Sequence, residues 1–407
     1  MTALKADERN QDMRKQLMNM LESRKHEMIR IRRHLHENPE LSFQEEKTAQ
    51  YIANFYKGKD CTIQTGVGGG YGIVVTIKGS RPGKTIGLRA DFDALPIQEE
   101  TGLPFQSKNQ GVMHACGHDG HTAYLMVLAD CLIEWREHLP GTIKIIHQPA
   151  EETPPGGAKG MLESGLLSDL DAIFGIHLFP NIPTGVAAWR SGYTMAGRTF
   201  FQLHIQGKGG HGSTPHLAND AIVAGSHFVT AVQTIVSRRL NPFDLGVVTI
   251  GSFDGKGSFN VIKDSVQLEG DVRYMTPEVQ ELIGREMHRI VDGLEVQFGV
   301  KCRFSYTADY PPVYNDPGLS LLVKESLESM NDPDIRQVVE SPMLSGSEDF
   351  SYFAQSIPGA FFFIGCRPKD AEVVYYNHHP KFDIDEDALL AAAKAAAQVA
   401  CHYFEKA

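Results

Sequence analysis

The stretch HACGHDGHTAYLMVLADCLIEWREHLPGTIKIIH, residues 114–147, decides the fold. It divides into a turn dense in metal-binding side chains, a helix over 120–139 and a strand over 142–147. The helix carries Leu125, Leu128, Leu132 and Trp135 on one apolar stripe. The strand is a short β-branched run containing Ile143, Ile145 and Ile146. Another strand, 85–90, precedes the turn and ends at Asp91-Phe92-Asp93, and a third, 172–176, ends at His177. Strands alternating with helices imply an α/β fold with a largely parallel sheet. In such sheets the active crevice lies beyond the carboxyl ends of the strands. Asp91, Asp93, Glu151, Glu152 and His177 all fall there, which places them along one rim.

The turn contains His114, Cys116, His118, Asp119 and His121 within eight residues. A neutral imidazole and a thiolate are the usual pair for zinc. The positive end of the following helix favours the thiolate, the form that binds metal. Further ligands come from Glu151-Glu152, from His177 and from His378-His379-Pro380, where the local sequence leaves the choice of histidine open. Adjacent carboxylates suit metal-dependent hydrolysis, because one can bind metal while the other takes a proton from water. His121, one helical turn past His118, reads as a packing or supporting residue. His34 and His36 read as helix-surface residues. Arg273 reads locally as a surface ion pair, and Gly209-Gly210-His211-Gly212-Ser213 as a glycine turn with or without a role for His211.

Working outward, a helix is expected over 11–37, after a frayed polar segment 1–10, with Pro39 ending it. Ser42 with Glu45 three residues on reads as a capping box for a helix reaching Tyr56. Gly66-Val67-Gly68-Gly69-Gly70 leads into the alternating run 73–77, so it reads as a hairpin turn rather than a phosphate loop, which must open a helix. From 199 to 308 the pattern is strand, helix, strand, strand, helix, strand, the split βαβ unit. The chain is therefore expected to be α/β: a mostly parallel-sheet domain (1–192 and 308–407) carrying an inserted α+β satellite of βαββαβ order (193–307). An alanine-rich helix over 386–405 closes the pattern.

The 407 residues are long for a single core and favour two domains. A net charge of −11 and the lack of a basic stripe argue against nucleic acid as a partner. No apolar run approaches membrane-spanning length, and no signal peptide is evident. Six cysteines at scattered spacings fit a reducing cytoplasm better than a disulfide framework.

These residues also carry a resemblance. The chain resembles the M20 metallopeptidase family, in the branch of aminoacylases, hippurate hydrolases and indole-acetyl-amino-acid hydrolases. Its markers run from His36-Glu37-Asn38-Pro39-Glu40-Leu41 to His378-His379-Pro380. Between them stand Arg89-Ala90-Asp91-Phe92-Asp93-Ala94-Leu95-Pro96, the cysteine–histidine cluster, Gly207-Lys208-Gly209-Gly210-His211-Gly212, Asn260-Val261-Ile262 and Ser347-Glu348-Asp349-Phe350. The resemblance implies two divalent metal ions per chain, zinc or manganese ahead of nickel or cobalt. It implies Cys116, His118, Glu152, His177 and His378 as ligands, with Asp91 and Asp93 beside them as supporting residues. Glu151 matches the general base, His211 the residue that polarises the scissile carbonyl, and Asn260 and Arg273 the residues that bind substrate. The satellite matches a lid and dimerisation domain, which implies a homodimer or higher assembly. The chain departs from the family at Lys263, where proline is usual, and at His379, a second imidazole beside His378. Asp91 stands where other branches place a ligating histidine.

The expected function is hydrolysis of the amide bond of N-acyl amino acids by metal-activated water, with Glu151 as general base. Three alternatives stand beside it. A carboxypeptidase or dipeptidase could use the same scaffold. A thiol hydrolase could use Cys116 as nucleophile, although it leaves the glutamate pair and His177 unexplained. A non-catalytic metal-binding protein leaves Glu151 without a purpose.

Overall fold

The structure is a computed structural model that describes residues 2–369 and 371–406, with side chains from residue 12 onward. Two helices open it, α1 (Thr2–Ser23) and α2 (Lys25–Glu37). The helix expected over 11–37 is thus broken, and the segment expected to fray is helical from Thr2. The break is at Arg24, whose non-helical backbone (φ −108°) turns its guanidinium toward Asp130 and Glu27. The next helix, α3 (Glu46–Tyr56), starts four residues after Ser42, and neither Ser42 nor Glu45 caps it; Glu40 Oε2 accepts the amide of Thr48 in its first turn (2.8 Å). Ser42 Oγ instead donates to Asp93 Oδ2 (2.7 Å), and Glu45 Oε1 accepts from the amide of Ala150 (2.8 Å).

β1 (Thr62–Val67) and β2 (Gly72–Lys78) form the expected antiparallel hairpin. β3 (Arg81–Asp91) leads through the metal-binding turn into α4 (His118–Glu134), then β4 (Pro140–Gln148), α5 (Gly157–Glu163), β5 (Ala172–Phe179), β6 (Val186–Trp189) and β7 (Gly192–Met195). Residues 118–133 of α4 are all buried, so the single apolar stripe expected of it is incorrect. The reason is that α4 packs against α1, α2 and the C-terminal helix (Asp387–Lys406) as well as against β3, β4 and β5. Close packing on every side makes such a position intolerant, and trimming a core leucine there to alanine costs about 2–5 kcal/mol.

A different layout follows: β8 (Gly197–Gln206), β9 (Gly210–His211), α6 (Ala221–Thr234), β10 (Gly246–Asp254), β11 (Val261–Ile262), β12 (Ser265–Tyr274), α7 (Pro277–Phe298) and β13 (Lys301–Ala308). Four of these strands make an antiparallel sheet in the order β10-β12-β8-β13. β8 alternates buried and solvent-facing residues, as a sheet with one covered face requires. α6 and α7 supply the cover through Phe228, Val232, Ile283 and Met287. Asp220 and Thr276 accept amides at the starts of these helices and fix where each begins.

The chain continues with β14 (Val313–Asn315), α8 (Pro317–Glu328), β15 (Gln337–Glu340), α9 (Phe350–Ser356), β16 (Gly359–Gly365) and α10 (Asp387–Lys406). The main sheet has eight strands in the order β1-β2-β4-β3-β5-β16-β6-β15. β4, β3, β5 and β16 run parallel at its centre. The fold is therefore α/β, with a mostly parallel central sheet and a separate antiparallel one. Two compact units result. The larger comprises Met1–Thr194, Tyr314–Pro342 and Asp349–Ala407, and the smaller Met195–Val313 and Met343–Glu348.

Candidate metal centre

The site in the larger unit is assembled from strand ends and one helix start. Gly117, between Cys116 and His118, takes a left-handed conformation (φ 90°), which glycine adopts without steric cost and which lets both flanking side chains serve one cluster. Cys116, His118 and His177 bring one sulfur and two nitrogens within 4.8 Å of one another. Cys116, Glu152 and His378 form a second such group, and His118 with Glu151 and Glu152 a third. The thiol of Cys116 is thus common to two three-donor groups.

His118 and His177 are each oriented by their other nitrogen. His118 Nδ1 lies 3.0 Å from the carbonyl oxygen of Asp93 and 3.1 Å from Asp93 Oδ1. Its Nε2 is buried without a hydrogen-bond partner. His177 Nδ1 donates to the carbonyl of Leu178 (2.9 Å), leaving Nε2 as an acceptor 3.5 Å from Cys116 Sγ. His378 Nε2 sits 3.1 Å from Glu152 Oε1, yet that oxygen receives no well-directed hydrogen bond. Unsatisfied buried nitrogen and carboxylate oxygen converging on a thiol are the donor set of a zinc-type centre, so these residues fit a divalent cation. A second partner that fixes ring orientation is the usual accompaniment of such ligands.

The electrostatics agree. Burial opposes a charge on His118, but Asp91, Asp93 and the Cys116 thiol outweigh it and raise its pKa well above the usual value. His378 is pushed up to about 10, by the Cys116 thiol first and Glu152 next. A field that draws protons onto these imidazoles also draws cations. His177 goes the other way, kept neutral by burial and by His121.

Asp91 belongs to a further three-donor group, with His118 and His121, and both Asp91 and Asp93 are engaged in hydrogen bonds. Asp91 Oδ1 meets His121 Nδ1 at 2.6 Å, and Oδ2 accepts from Arg89 Nη1 at 2.7 Å. Asp93 Oδ2 accepts from Ser42 and from the amide of Glu152 (3.0 Å). His121 spends its second nitrogen on the amide of Leu178 (2.9 Å), so neither of its nitrogens is free for a metal. Glu151 is buried, and its Oε1 accepts from the amide of Asp349 at 3.4 Å. His379, the alternative to His378, stacks on Tyr375 and accepts the amide of Lys381.

One expectation is overturned nearby. His36 is fully buried rather than on a helix surface, with Nδ1 2.8 Å from Asp119 and Nε2 3.2 Å from Glu99. The period of α2 places it on the inward face with Ile31 and Leu35, and the carboxylates there make its burial tolerable.

The smaller unit holds the other three expected residues. The β9–β11 ladder pairs His211 with Val261, and Gly212 donates to the carbonyl of Asn260, so His211 and Asn260 are neighbours. His211 Nδ1 accepts from the amide of Ser213 (3.2 Å), which leaves the proton of the neutral ring on Nε2. Arg273 lies on β12, where Asp271 (2.7 Å) and Ser347 (3.2 Å) hold its guanidinium.

Sequence reasoning gave no site role to Glu45, Ser42, Arg89, Asp349, Asn377 or Gln148, which joins Arg89 to Asp349. Asn377 Nδ2 lies 3.3 Å from the carbonyl oxygen and 3.5 Å from Sγ of Cys116. Ser42 and Glu45 carried a signal, but one that fitted a helix cap equally well.

Residues 87–402 match the model of peptidase family M20/M25/M40, and the chain belongs to that family. A crystal structure from methicillin-resistant Staphylococcus aureus, provisionally named an aminohydrolase, is 53% identical with a TM-score of 0.91 and covers 96% of this chain and 99% of its own. The Bacillus subtilis YXEP protein, described as a dinuclear metal binding peptidase of the M20 family, is 34% identical with a TM-score of 0.82, covering 95% and 100%. Thermostable carboxypeptidase 1 of Saccharolobus solfataricus is 39% identical over 93% of this chain and 96% of its own. N-acetyl-L-cysteine deacetylase of Bacillus subtilis is 38% identical over 90% and 86%. Family membership and the donor set together support a metal-dependent hydrolase. No helix among the described residues is long and apolar enough to cross a membrane.

Proposed function

We propose that the protein hydrolyses the amide bond of N-acyl amino acids, using two divalent cations held by Cys116, His118, Glu152, His177 and His378. The observation that carries this reading is the pair of three-donor groups sharing Cys116 Sγ, with Glu151 beside them. Zinc or manganese is the expected occupant, with nickel or cobalt also compatible with sulfur, nitrogen and carboxylate donors. Bound there, the cations would supply Lewis acidity to the substrate carbonyl and acidify water.

The chain's own residues carry the remaining work. Glu151 takes the proton of the attacking water and returns it to the leaving amine. His211 offers Nε2–H to the oxygen on which charge develops, assisted by Asn260. Arg273 presents a planar fork suited to the substrate carboxylate. The smaller unit acts as a lid and as the surface of a homodimer, for which exposed Phe243, Phe259 and Val261 are available apolar groups. The compartment is the cytoplasm, in keeping with six unpaired cysteines.

The deacetylase relative favours acyl amino acids, and the carboxypeptidase relative favours peptides as the second reading. Parallel turnover of N-acyl amino acids and matched dipeptides decides between them. Metal-reconstituted enzyme and chelated enzyme should be compared on both. The proposal requires chelator-sensitive cleavage of acyl amino acids with the higher kcat/KM. Preference for dipeptides would replace it with the peptidase reading, and chelator-resistant, alkylation-sensitive turnover with the thiol reading.

A further inference from the structure

Four non-glycine residues among those described have a left-handed backbone: Phe43 (φ 65°), Ala150 (φ 53°), Asn331 (φ 47°) and His378 (φ 69°). Asparagine tolerates that region, whereas for phenylalanine and alanine it is strained and persists only where the surroundings enforce it. The amide of Ala150 donates to Glu45 Oε1 (2.8 Å), and Phe43 lies two residues before Glu45 in the same segment. Ala150 immediately precedes the Glu151-Glu152 pair.

We propose that Glu45 is a positioning residue whose carboxylate holds the turn at 150–152 in the strained conformation that presents Glu151 and Glu152.

Three observations support it. Glu45 is fully buried and its Oε2 has no hydrogen-bond partner, an unfavourable setting for a carboxyl group that does nothing. Burial first, then the charge of Asp93, pushes its pKa up to about 7 against the pull of nearby amides. The segment makes a second attachment to the same turn: Ser42 Oγ donates to Asp93 Oδ2, which also accepts the amide of Glu152 (3.0 Å). The far side of the turn is fixed as well, because the carbonyl of Ala150 accepts from Gly157 (3.0 Å). Residues 42–45 therefore grip the glutamate turn at two successive points, the amides of Ala150 and, through Asp93, of Glu152. A merely structural carboxylate would stabilise the fold without caring which backbone conformation Ala150 adopts.

That difference defines the experiment. Its kinetic arm rests on Glu151 being the base, and its exchange arm does not. Glu45→Ala, Glu45→Gln, Ala150→Gly and the double variant Glu45→Ala/Ala150→Gly are compared in metal-loaded full-length protein. Amide exchange is followed by mass spectrometry for peptides spanning 149–157. Glu45→Ala should speed exchange there at least about tenfold while α4 peptides keep their protection. It should lower kcat about 100-fold with little change in KM, the scale expected of a displaced catalytic group. Glu45→Gln retains the acceptor and should recover most of both losses. Glycine at position 150 takes the left-handed conformation without strain, so the double variant should regain kcat over Glu45→Ala alone. Unchanged exchange in Glu45→Ala, an equal loss in Glu45→Gln, or no rescue by glycine would each overturn the proposal. Should Glu45→Ala fail to fold, Ala150→Val supplies the same test, since a β-branched residue resists this conformation and should reproduce the exchange and kcat losses. Altered exchange without any hydrolysis in the wild type would leave the positioning role standing and remove the functional reading instead.

Discussion

Replacing Glu151 with glutamine separates proton transfer from everything else the residue does. The residue is 6% exposed, and its Oε1 accepts from the amide of Asp349 at 3.4 Å. Glutamine presents an acceptor oxygen of the same shape, so that contact and the turn survive. What disappears is the capacity to take up a proton. Positioned general bases contribute about 100- to 10,000-fold, or about 3–5.5 kcal/mol of barrier. Glu151→Gln should therefore keep full metal content by elemental analysis and lose kcat by that factor under metal-buffered conditions. Glu152→Gln should behave differently. Its carboxylate lies 3.1 Å from His378 Nε2, belongs to two of the donor groups, and leaves Oε1 without a hydrogen bond. Neutralising it should weaken metal binding by more than the roughly 10- to 100-fold that supporting residues typically cost. The reasoning fails if the two variants exchange phenotypes, or if Glu151→Gln retains activity within about tenfold of the wild type.

Four further outcomes are expected. Cys116→Ala and His118→Ala should each lose at least about one equivalent of metal by elemental analysis, and full occupancy in both would remove them as ligands. His211→Ala should mainly lower kcat and Arg273→Ala mainly raise KM, with the Arg273 penalty shrinking for substrates whose carboxylate is amidated; the reverse split would exchange their roles. Arg89→Met leaves Asp91 and Asp349 buried without their shared cation and should cost about 3–5 kcal/mol in denaturant unfolding; a loss below about 1 kcal/mol would contradict the pairing. Burial alone would lower the pKa of His36, but Asp119 and Glu99 raise it from 6.5 to about 9. Its contribution to stability is therefore complete below pH 6.5 and lost as the pH rises through about 9. His36→Gln should flatten the stability profile in that window, and a profile unchanged by the variant would refute this.

The parallel sheet was legible because β3, β4 and β5 each carry an isoleucine-containing apolar run close to a metal-binding or acidic residue: Asp91 ends β3, Glu151 follows β4 and His177 lies near the end of β5. The antiparallel sheet was legible from its alternating β8 and β12 and from its long amphipathic helices. Local sequence failed where a residue's partner lies far along the chain. Ser42 and Glu45 satisfy the pattern of a helix cap, yet their acceptor and donor are Asp93 and Ala150, 51 and 105 residues away. His36 looked peripheral because Asp119 and Glu99, which make its burial acceptable, are equally remote. The break at Arg24 has the same origin in Asp130. A stripe seemed sufficient for α4 because nothing local says that α1, α2 and α10 will cover its other side. The donor cluster escaped this problem, since cysteine and histidine chemistry is recognisable before any partner is known.

The burial of α4 on every side also sets an order of events during synthesis. Its apolar residues leave the ribosome roughly 250 residues before α10, one of the helices that pack against it, has been made. At typical translation rates that interval is on the order of 10–50 s. For that time a helix containing Leu125, Met126, Leu128 and Leu132 has an uncovered face, and the metal-binding turn at its start lacks the support of the finished layer. The nascent chain is therefore expected to need protection by chaperones over that interval, and premature termination before α10 should yield aggregated protein, not a shortened enzyme.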